Sequence, residues 1–340
     1  MNKAYLANLN TEMYNIIEVY AMKDLFDREI DYLRISVTDR CNLRCNYCMP
    51  TGIECMPMSE ILTFEEITQI CSSAVKLGIK HIRITGGEPL VRREIEKLIS
   101  MIKEIDGIES IAMTTNGIWL GEKIKELKKA GLDSINISLD TLDRDKFKII
   151  TGFDVLHKVL DSIDKATESG IKVKINTVIL EDTLDENIGT LRLAKKGIDV
   201  RFIEMMPIGA GANFRSVDSG CVLEQIKAEY PTIRPIEYKA GNGPAVYYQI
   251  DGIDGKIGFI KSVHGKFCSE CNRIRLTSTG ILKTCLCYDQ GMDLKKVLRE
   301  NSGEGLEQLM EQTIKNKPKE NNFCNISYIP QQNSMSEIGG

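Results

Sequence analysis

"YLRISVTDRCNLRCNYC" occupies residues 32–48. It opens as a short strand, YLRISVT, rich in β-branched and apolar residues. It ends in three cysteines, Cys41, Cys45 and Cys48, spaced C-x3-C-x2-C. A strand followed directly by chemistry raises the question of whether later strands end the same way. Five more do, or carry polar residues within them. HIRITG (81–86) runs into GGEP, SIAMTT (110–115) into TTNG, and SINISL (134–139) into SLD. KVKINTVI (172–179) carries a polar NT pair, and VRFIEMM (200–206) runs into MMPIG. Helical patterns lie between them, starting at Thr63, where TFEE forms a capping box with Glu66. Others cover roughly 92–105, 121–130, 154–169 and 185–196.

Six strand–helix repeats predict parallel pairing with right-handed crossovers. A doubly wound sheet gathers its site at one switch point, whereas a barrel draws it from many strand ends. The spread of motifs predicts an α/β fold, an incomplete (β/α)6 TIM-type barrel with an open side for something else to cover. After Met206 the pattern changes. Glycine and proline cluster at 207–213 and 241–244, and VYYQIDGIDGKIGFIKSV (246–263) predicts an antiparallel hairpin. GAGAN and GNGPA do not complete a dinucleotide-binding loop. A helical tail and a terminal MSEIGG follow.

The bulk properties narrow the function. A net charge of −4 argues against a general nucleic-acid binder. No apolar run is long enough to predict a membrane span. The N-terminus lacks the charged start and apolar core of a secretion signal, so cytoplasmic placement is expected. In that setting eleven cysteines point to metal or redox chemistry rather than disulfides. Cys55, Cys71, Cys221, Cys287 and Cys324 fall outside the two clusters and read as small buried hydrophobes or incidental thiols.

Three thiolates at C-x3-C-x2-C can hold three corners of a four-iron cluster and leave the fourth iron open. A zinc site would normally be closed by a fourth ligand. The second trio, Cys268, Cys271 and Cys285, is spaced C-x2-C-x13-C. By spacing alone it favours zinc, with His264 able to complete a Cys3His set. Arg273 and Arg275 beside it point to one side of an extended segment. Arg34, Arg83, Lys174 and Arg201 lie on four other predicted strands. Buried cations without partners are costly, so inward-facing basic residues from several strands call for an anionic ligand.

With an aromatic, Tyr47, before the last cysteine and GGEP after the second strand, the chain resembles the radical S-adenosylmethionine enzymes. Within them it resembles the GTP 3′,8-cyclase family of molybdenum cofactor biosynthesis, over about residues 22–340. The resemblance rests on DYLRISVTDRCNLRCNYCMP, RITGGEPLVR, TTNG, SLDTL, RFIEMMPIG, FCSECNRIRLTSTGILKTCL and MSEIGG in that order. It implies two [4Fe-4S] clusters, one on each cysteine trio, with S-adenosyl-L-methionine on the first and the guanine of GTP against the second. It implies that Tyr47, Gly87, Ser138 and Met206 surround S-adenosylmethionine. Arg34, Arg83, Thr114, Lys174, Arg273, Ile274 and Arg275 match positions that bind GTP. Gly339 and Gly340 are expected to reach the active site, where side chains would block a narrow opening.

The implied reaction makes (8S)-3′,8-cyclo-7,8-dihydroguanosine 5′-triphosphate from GTP. An electron donor, not identified by the resemblance, supplies electrons, and the product goes to a cyclic pyranopterin monophosphate synthase. A homodimer is compatible with the family. The implied organisation is an N-terminal extension over 1–21, with translation expected to begin at Met22. A partial barrel over 22–206 follows, then a substrate and second-cluster region over 207–340. One departure stands out. The family often has lysine where this chain has His81, which predicts weaker or more pH-dependent triphosphate binding. Two rivals share some motifs: a radical enzyme with a different substrate, and a zinc- or iron-binding interaction module.

Overall fold

The computed structural model describes residues 22–50, 55–239, 241–323 and 335–338. The extension over 1–21, Cys324, Gly339 and Gly340 lie outside the described residues. Strands β1 (Tyr32–Ser36), β2 (His81–Thr85), β3 (Ser110–Thr115), β4 (Ser134–Ser138), β5 (Lys172–Ile179) and β6 (Asp199–Glu204) follow the predicted segments. Each pairs in parallel with the next, and their order in space is their order in the chain. A doubly wound sheet would reverse its winding at a switch point; an unbroken order is that of a barrel.

The helices between them are α1 (Phe64–Lys76), α2 (Ile95–Lys103), α3 (Leu120–Lys129), α4 (Arg144–Thr151) and α5 (Leu156–Glu168). The capping box is formed: Glu66 N donates to Thr63 Oγ1 at 3.2 Å and Thr63 N to Glu66 Oε2 at 2.8 Å. Helix α4 is additional to the predicted set. Asp143 caps its start by accepting from Lys146 N at 2.8 Å, and Gly152 ends it at φ 79°. The predicted helix over 185–196 is broken into short turns, with four-residue helices at Leu184–Asn187 and Leu191–Ala194. Gly189 lies between them, where a helix interior costs about 1 kcal/mol relative to alanine.

The later strands join the same sheet. They are β7 (Arg234–Ile236), β8 (Val246–Gln249), β9 (Ile257–Ile260), β10 (Arg273–Leu276), β11 (Ile281–Lys283) and β12 (Met292–Asp293). The predicted hairpin is β8–β9, and β9 also lies parallel beside β6. At the other edge β10 lies parallel beside β1, with β11 and β12 antiparallel beyond it. The chain's second half therefore extends both edges of the six-strand unit. Helices α6 (Ser219–Glu229), α7 (Leu294–Glu300) and α8 (Leu306–Lys315) accompany these strands.

Side-chain alternation sets what the sheet encloses. Leu33, Ile35, Ile82, Ile84, Ile111, Met113, Ile135, Ile137, Val200 and Phe202 are all fully buried in one apolar core with residues of the helices. Arg34, Arg83, Thr114, Asn136, Asn176 and Arg201, at alternate positions, line the interior. The core is thus outside the strands, and the inside is polar. Phe202 of β6 stacks on Phe259 of β9 with ring centroids 5.5 Å apart, which ties the hairpin to the barrel. Phe202→Ala is expected to cost about 3–5 kcal/mol, measured as a lower denaturation midpoint.

Candidate active site

Both cysteine trios line one chamber of about 340 Å³, a size suited to a small ligand. They reach it from opposite ends of the strands. Cys41, Cys45 and Cys48 follow the C-terminal end of β1. Cys271 precedes β10, which runs parallel to β1, and Cys285 follows β11, which runs antiparallel to β10.

The first loop is held by backbone contacts with the end of β2. Gly87 N donates to Thr38 O at 2.7 Å and Glu88 N to Arg40 O at 2.8 Å. A Cβ at Gly86 would lie 2.7 Å from Thr38 O, and one at Gly87 2.4 Å from Arg40 O. The two glycines are therefore required by the chain's own approach. Glu88, buried, accepts from Leu90 N at 3.0 Å, Thr115 Oγ1 at 2.7 Å and Asn116 N at 2.6 Å. Burial pushes its carboxyl up to about 7 against those hydrogen bonds. Asn116 in turn directs Nδ2 to Cys41 Sγ at 3.8 Å and to Asn42 Oδ1 at 2.7 Å. Tyr47 donates its hydroxyl to Asp140 Oδ2 at 2.7 Å, and Asp140 Oδ1 accepts from Val178 N at 2.8 Å. Burial raises Cys41 to about 11. It raises Cys45 well above the ordinary range, with Cys48, Asp140 and Cys41 adding to the effect.

The second site is organised by two buried cations. Arg28 donates from Nη1 to Cys268 O at 2.8 Å and Lys319 O at 2.9 Å, and from Nη2 to Pro318 O at 2.7 Å. Its Nε meets Asp24 Oδ2 at 2.6 Å. Lys317 donates to Arg273 O at 2.8 Å and to Thr284 O. Asn321 donates from Nδ2 to Cys268 Sγ at 3.2 Å. Burial works to raise the Cys271 thiol, but Arg273, Lys317 and Arg275 bring it down to about 6. This is the cationic setting that favours a thiolate.

Between the trios stands a row of like charges. Arg275, Arg34 and Arg83 are register partners on the adjacent strands β10, β1 and β2. Burial lowers the pKa of Arg34, and Arg275, Arg83 and Arg273 lower it further while Tyr32 opposes them. Arg83 donates to the Tyr32 hydroxyl and, at 3.3 Å, to Thr114 Oγ1. Burial pushes the Tyr32 phenol up, but Arg83, Arg34 and Arg273 bring it below its usual value. Nε of Arg201 and Nε of Arg273 are buried without an acceptor among the described residues. Such donors suit an anion.

Most of the residues singled out from the sequence meet on this wall: both trios, Tyr47, Gly87, Ser138 and Met206, then Arg34, Arg83, Thr114, Arg273 and Arg275. Two do not. The Ile274 side chain is fully buried in the apolar core on the other face of β10. Lys174 lies behind the wall, its Nζ 3.5 Å from where a Cβ of Gly241 would be. His81 is also off the wall, with Nδ1 2.9 Å from Ser110 Oγ and Nε2 3.9 Å from Asp31 and Glu109 carboxylates. Cys287 is fully buried off the wall, its sulfur accepting from Asn322 N at 3.2 Å. Glu88, Asn116 and Asp140 sit inside the quoted motifs GGEP, TTNG and SLD, although their clamping role has no local signature. Arg28, Lys317 and Asn321 carry no local signal.

The donor geometry bears on what each trio can hold. Sulfurs around one zinc ion stand about 3.8 Å apart, as bonds of about 2.3 Å require. Among the described residues, the group of such side chains whose ligand atoms all lie within 4.8 Å of one another is Glu204, Asp218 and His264. Neither cysteine trio is drawn in so tightly, which fits a cluster of several irons better than a single ion. His264 turns Nδ1 to Glu204 Oε2 at 3.3 Å, away from a Cys3His site. Glu204 already accepts from Ser219 N and Oγ and from the amides of Val263 and His264.

Residues 35–194 match the family described as Radical SAM superfamily, and residues 198–323 match Molybdenum Cofactor Synthesis C. Among solved structures, Streptococcus suis SuiB bound to S-adenosylmethionine superposes with a TM-score of 0.61 at 16% identity, covering 81% of this chain and 67% of that one. Native anSMEcpe with bound AdoMet gives 0.57 at 14% identity, covering 87% and 94%. At these identities the likeness is one of fold. The six-strand barrel, its cysteine loop and the first match define a radical S-adenosylmethionine protein. A GTP 3′,8-cyclase of Clostridium perfringens (strain SM101 / Type A) is 47% identical over 323 residues, 94% of this chain and 100% of the relative. One of Alkaliphilus oremlandii (strain OhILAs) is 44% identical over 323 residues, again 94% and 100%. The chain belongs to the GTP 3′,8-cyclase family.

Proposed function

We propose that this protein is a radical S-adenosylmethionine GTP 3′,8-cyclase. It converts GTP to (8S)-3′,8-cyclo-7,8-dihydroguanosine 5′-triphosphate, the first step of molybdenum cofactor biosynthesis. The observation that carries the reading is the shared chamber: two cysteine trios at opposite ends with the arginine row between them. A radical modifier of another substrate accounts poorly for that row.

In this reading Cys41, Cys45 and Cys48 hold one four-iron cluster and Cys268, Cys271 and Cys285 the other, each leaving an iron without a protein ligand. When bound, a cluster on Cys41, Cys45 and Cys48 would supply one-electron chemistry to S-adenosylmethionine, directed at the 3′ position of GTP. The chain's own part is positioning. Glu88 and Asn116 hold the first cysteine loop against β3, while Tyr47, Gly87, Ser138 and Met206 border the S-adenosylmethionine end. Arg34, Arg83, Thr114, Arg273 and Arg275, with Lys174 behind them, hold the triphosphate. Ile274 contributes through the strand that spaces its two arginines. Arg28 and Lys317 fix the second cysteine site on which the guanine is seated. The chamber walls hold the two reactants in a fixed mutual orientation. The product passes to a cyclic pyranopterin monophosphate synthase. An electron donor of unidentified kind and a second copy of the chain are the expected partners.

Near the mouth, Met335 lines the chamber, and Ile338 is buried with Ile208, Val263, Leu286 and Phe323. That anchor immediately precedes Gly339 and Gly340, the proposed tail.

Anaerobic reconstitution tests the assignment. About eight irons per chain, as two four-iron clusters demand, and a cyclic product dependent on GTP, reductant and S-adenosylmethionine are expected; zinc at the second site would refute it. Deleting Gly339 and Gly340 is expected to abolish cyclisation at unchanged iron content. A pH dependence follows from Lys174, which burial, and repulsion from Arg201, Lys172 and Arg83, bring down to about 7. Bound phosphate favours the charged lysine and raises its pKa. GTP affinity is therefore full below about pH 7 and falls as pH rises above it, by up to about tenfold per unit. Dissociation constants measured from about pH 6 to about pH 9 should show that fall, and Lys174→Arg should flatten it.

A further inference from the structure

Lys317 is 3% exposed, and its ammonium donates to two neutral acceptors, Arg273 O at 2.8 Å and Thr284 O. Burial works against its charge. The Cys271 and Cys285 sulfurs, as thiolates, support that charge, while Arg28 and Arg273 repel it. A buried ammonium held by carbonyls alone is costly without an anion nearby. The second cysteine site supplies the anion.

Asn321, also buried, is turned to the same site. Its Nδ2 donates to Cys268 Sγ at 3.2 Å and its backbone N to the same sulfur at 3.4 Å. Its Oδ1 accepts from Phe323 N at 3.3 Å, which leaves the amide nitrogen for the sulfur. Cys287 N adds another donor, to Cys285 Sγ at 3.5 Å. The segment carrying Lys317 and Asn321 follows α8. Arg28 anchors it through the carbonyls of Pro318 and Lys319 and ties it to Cys268 O.

The first site is set differently. Cys41 Sγ accepts from Leu43 N at 3.4 Å, with Asn116 Nδ2 at 3.8 Å. The buried carboxyls of Glu88 and Asp140 act on Cys41 and Cys45, with Arg44 as the opposing charge beside Cys41. A four-iron core on thiolates is anionic, and an added electron makes it more so. Hydrogen bonds to the sulfurs and positive charge nearby therefore favour the reduced form. By both measures the second site favours reduction more than the first.

We infer that Lys317 and Asn321 raise the reduction potential of the second four-iron cluster above that of the first, so that the first electron to enter the protein rests beside the base of the substrate. The inference rests on the two-cluster part of the cyclase reading. Lys317 and Asn321 are positioning residues that act through the cysteine sulfurs. Arg273 and Arg275 add to the same field, but bound triphosphate offsets their charge and leaves that of Lys317 to the cluster.

The test is a stepwise anaerobic reduction of the reconstituted enzyme with dithionite, followed by electron paramagnetic resonance. A full chain carrying Cys41→Ala, Cys45→Ala and Cys48→Ala supplies the reference spectrum of the second cluster. In the unaltered protein the reduction equilibrium of the second cluster should lie at least about tenfold above that of the first, about 59 mV for one electron. Lys317→Met, which removes the charge at similar length, should lower the second potential by at least about tenfold, and Lys317→Arg should restore most of it. Asn321→Leu, which removes the donor and changes no charge, should lower it by about threefold. The first potential should stay in place in all three. A second potential at or below the first in the unaltered protein would overturn the inference. So would variants that load full iron and leave the second potential unmoved, or that shift both clusters equally. If Lys317→Met fails to load the second cluster, Asn321→Leu decides; loss of that cluster in both would mean that these residues hold it rather than tune it, and would also overturn the inference. Each of these outcomes leaves the cyclase reading standing. Zinc at the second site, or the signal of a single cluster in the unaltered protein, would instead overturn that reading, and this inference with it.

Discussion

Three arginines in register on neighbouring parallel strands repel one another, and the rest of the structure has to accommodate that repulsion. Like charges placed opposite in a sheet destabilise it, and burial removes much of the water that would screen Arg275, Arg34 and Arg83. The opposite face of the same strands compensates. Leu33, Ile35, Ile82, Ile84 and Ile274 are fully buried there, and each contributes about 1.5–3 kcal/mol of apolar burial. Tyr32 and Thr114 accept hydrogen bonds from Arg83. An anion turns the row from a cost into a binding site.

The second half of the chain is what completes this arrangement. By adding β10 beside β1, it brings Arg273 and Arg275 to the row and Cys271 to one end of the chamber. By adding β9 beside β6, it supplies Gly258, which lets Arg201 turn inward. The first cysteine loop depends on equally local geometry. Two glycines at the end of β2 lie against the backbone of residues 38–40, and Glu88 ties that junction to β3. Each cysteine site is thus positioned by contacts with segments distant in the chain.

Much of this was legible along the chain. The six strands, the capping box at Thr63 and both cysteine trios follow from alternation and spacing, which are local properties. Helix α4 was missed, although Asp143 and Gly152 mark its two ends. What spacing misjudged was of another kind. GGEP lines the chamber, and its second glycine also lies against Arg40, forty-seven residues earlier, a contact that spacing does not record. The second trio with His264 fits a zinc site by spacing, yet His264 faces Glu204. His81 shares a strand face with Arg83 but meets Ser110, Asp31 and Glu109.

By itself the sequence determined the class of fold, the cysteine sites and the identity of the cations, because periodicity and motif spacing act over a few residues. Tertiary structure alone decided that both trios share one chamber, that three arginines stand in one row, and that Arg28, Lys317 and Gly258 matter. Strand pairing and register bring residues hundreds of positions apart within hydrogen-bonding distance, and no local pattern records such a contact.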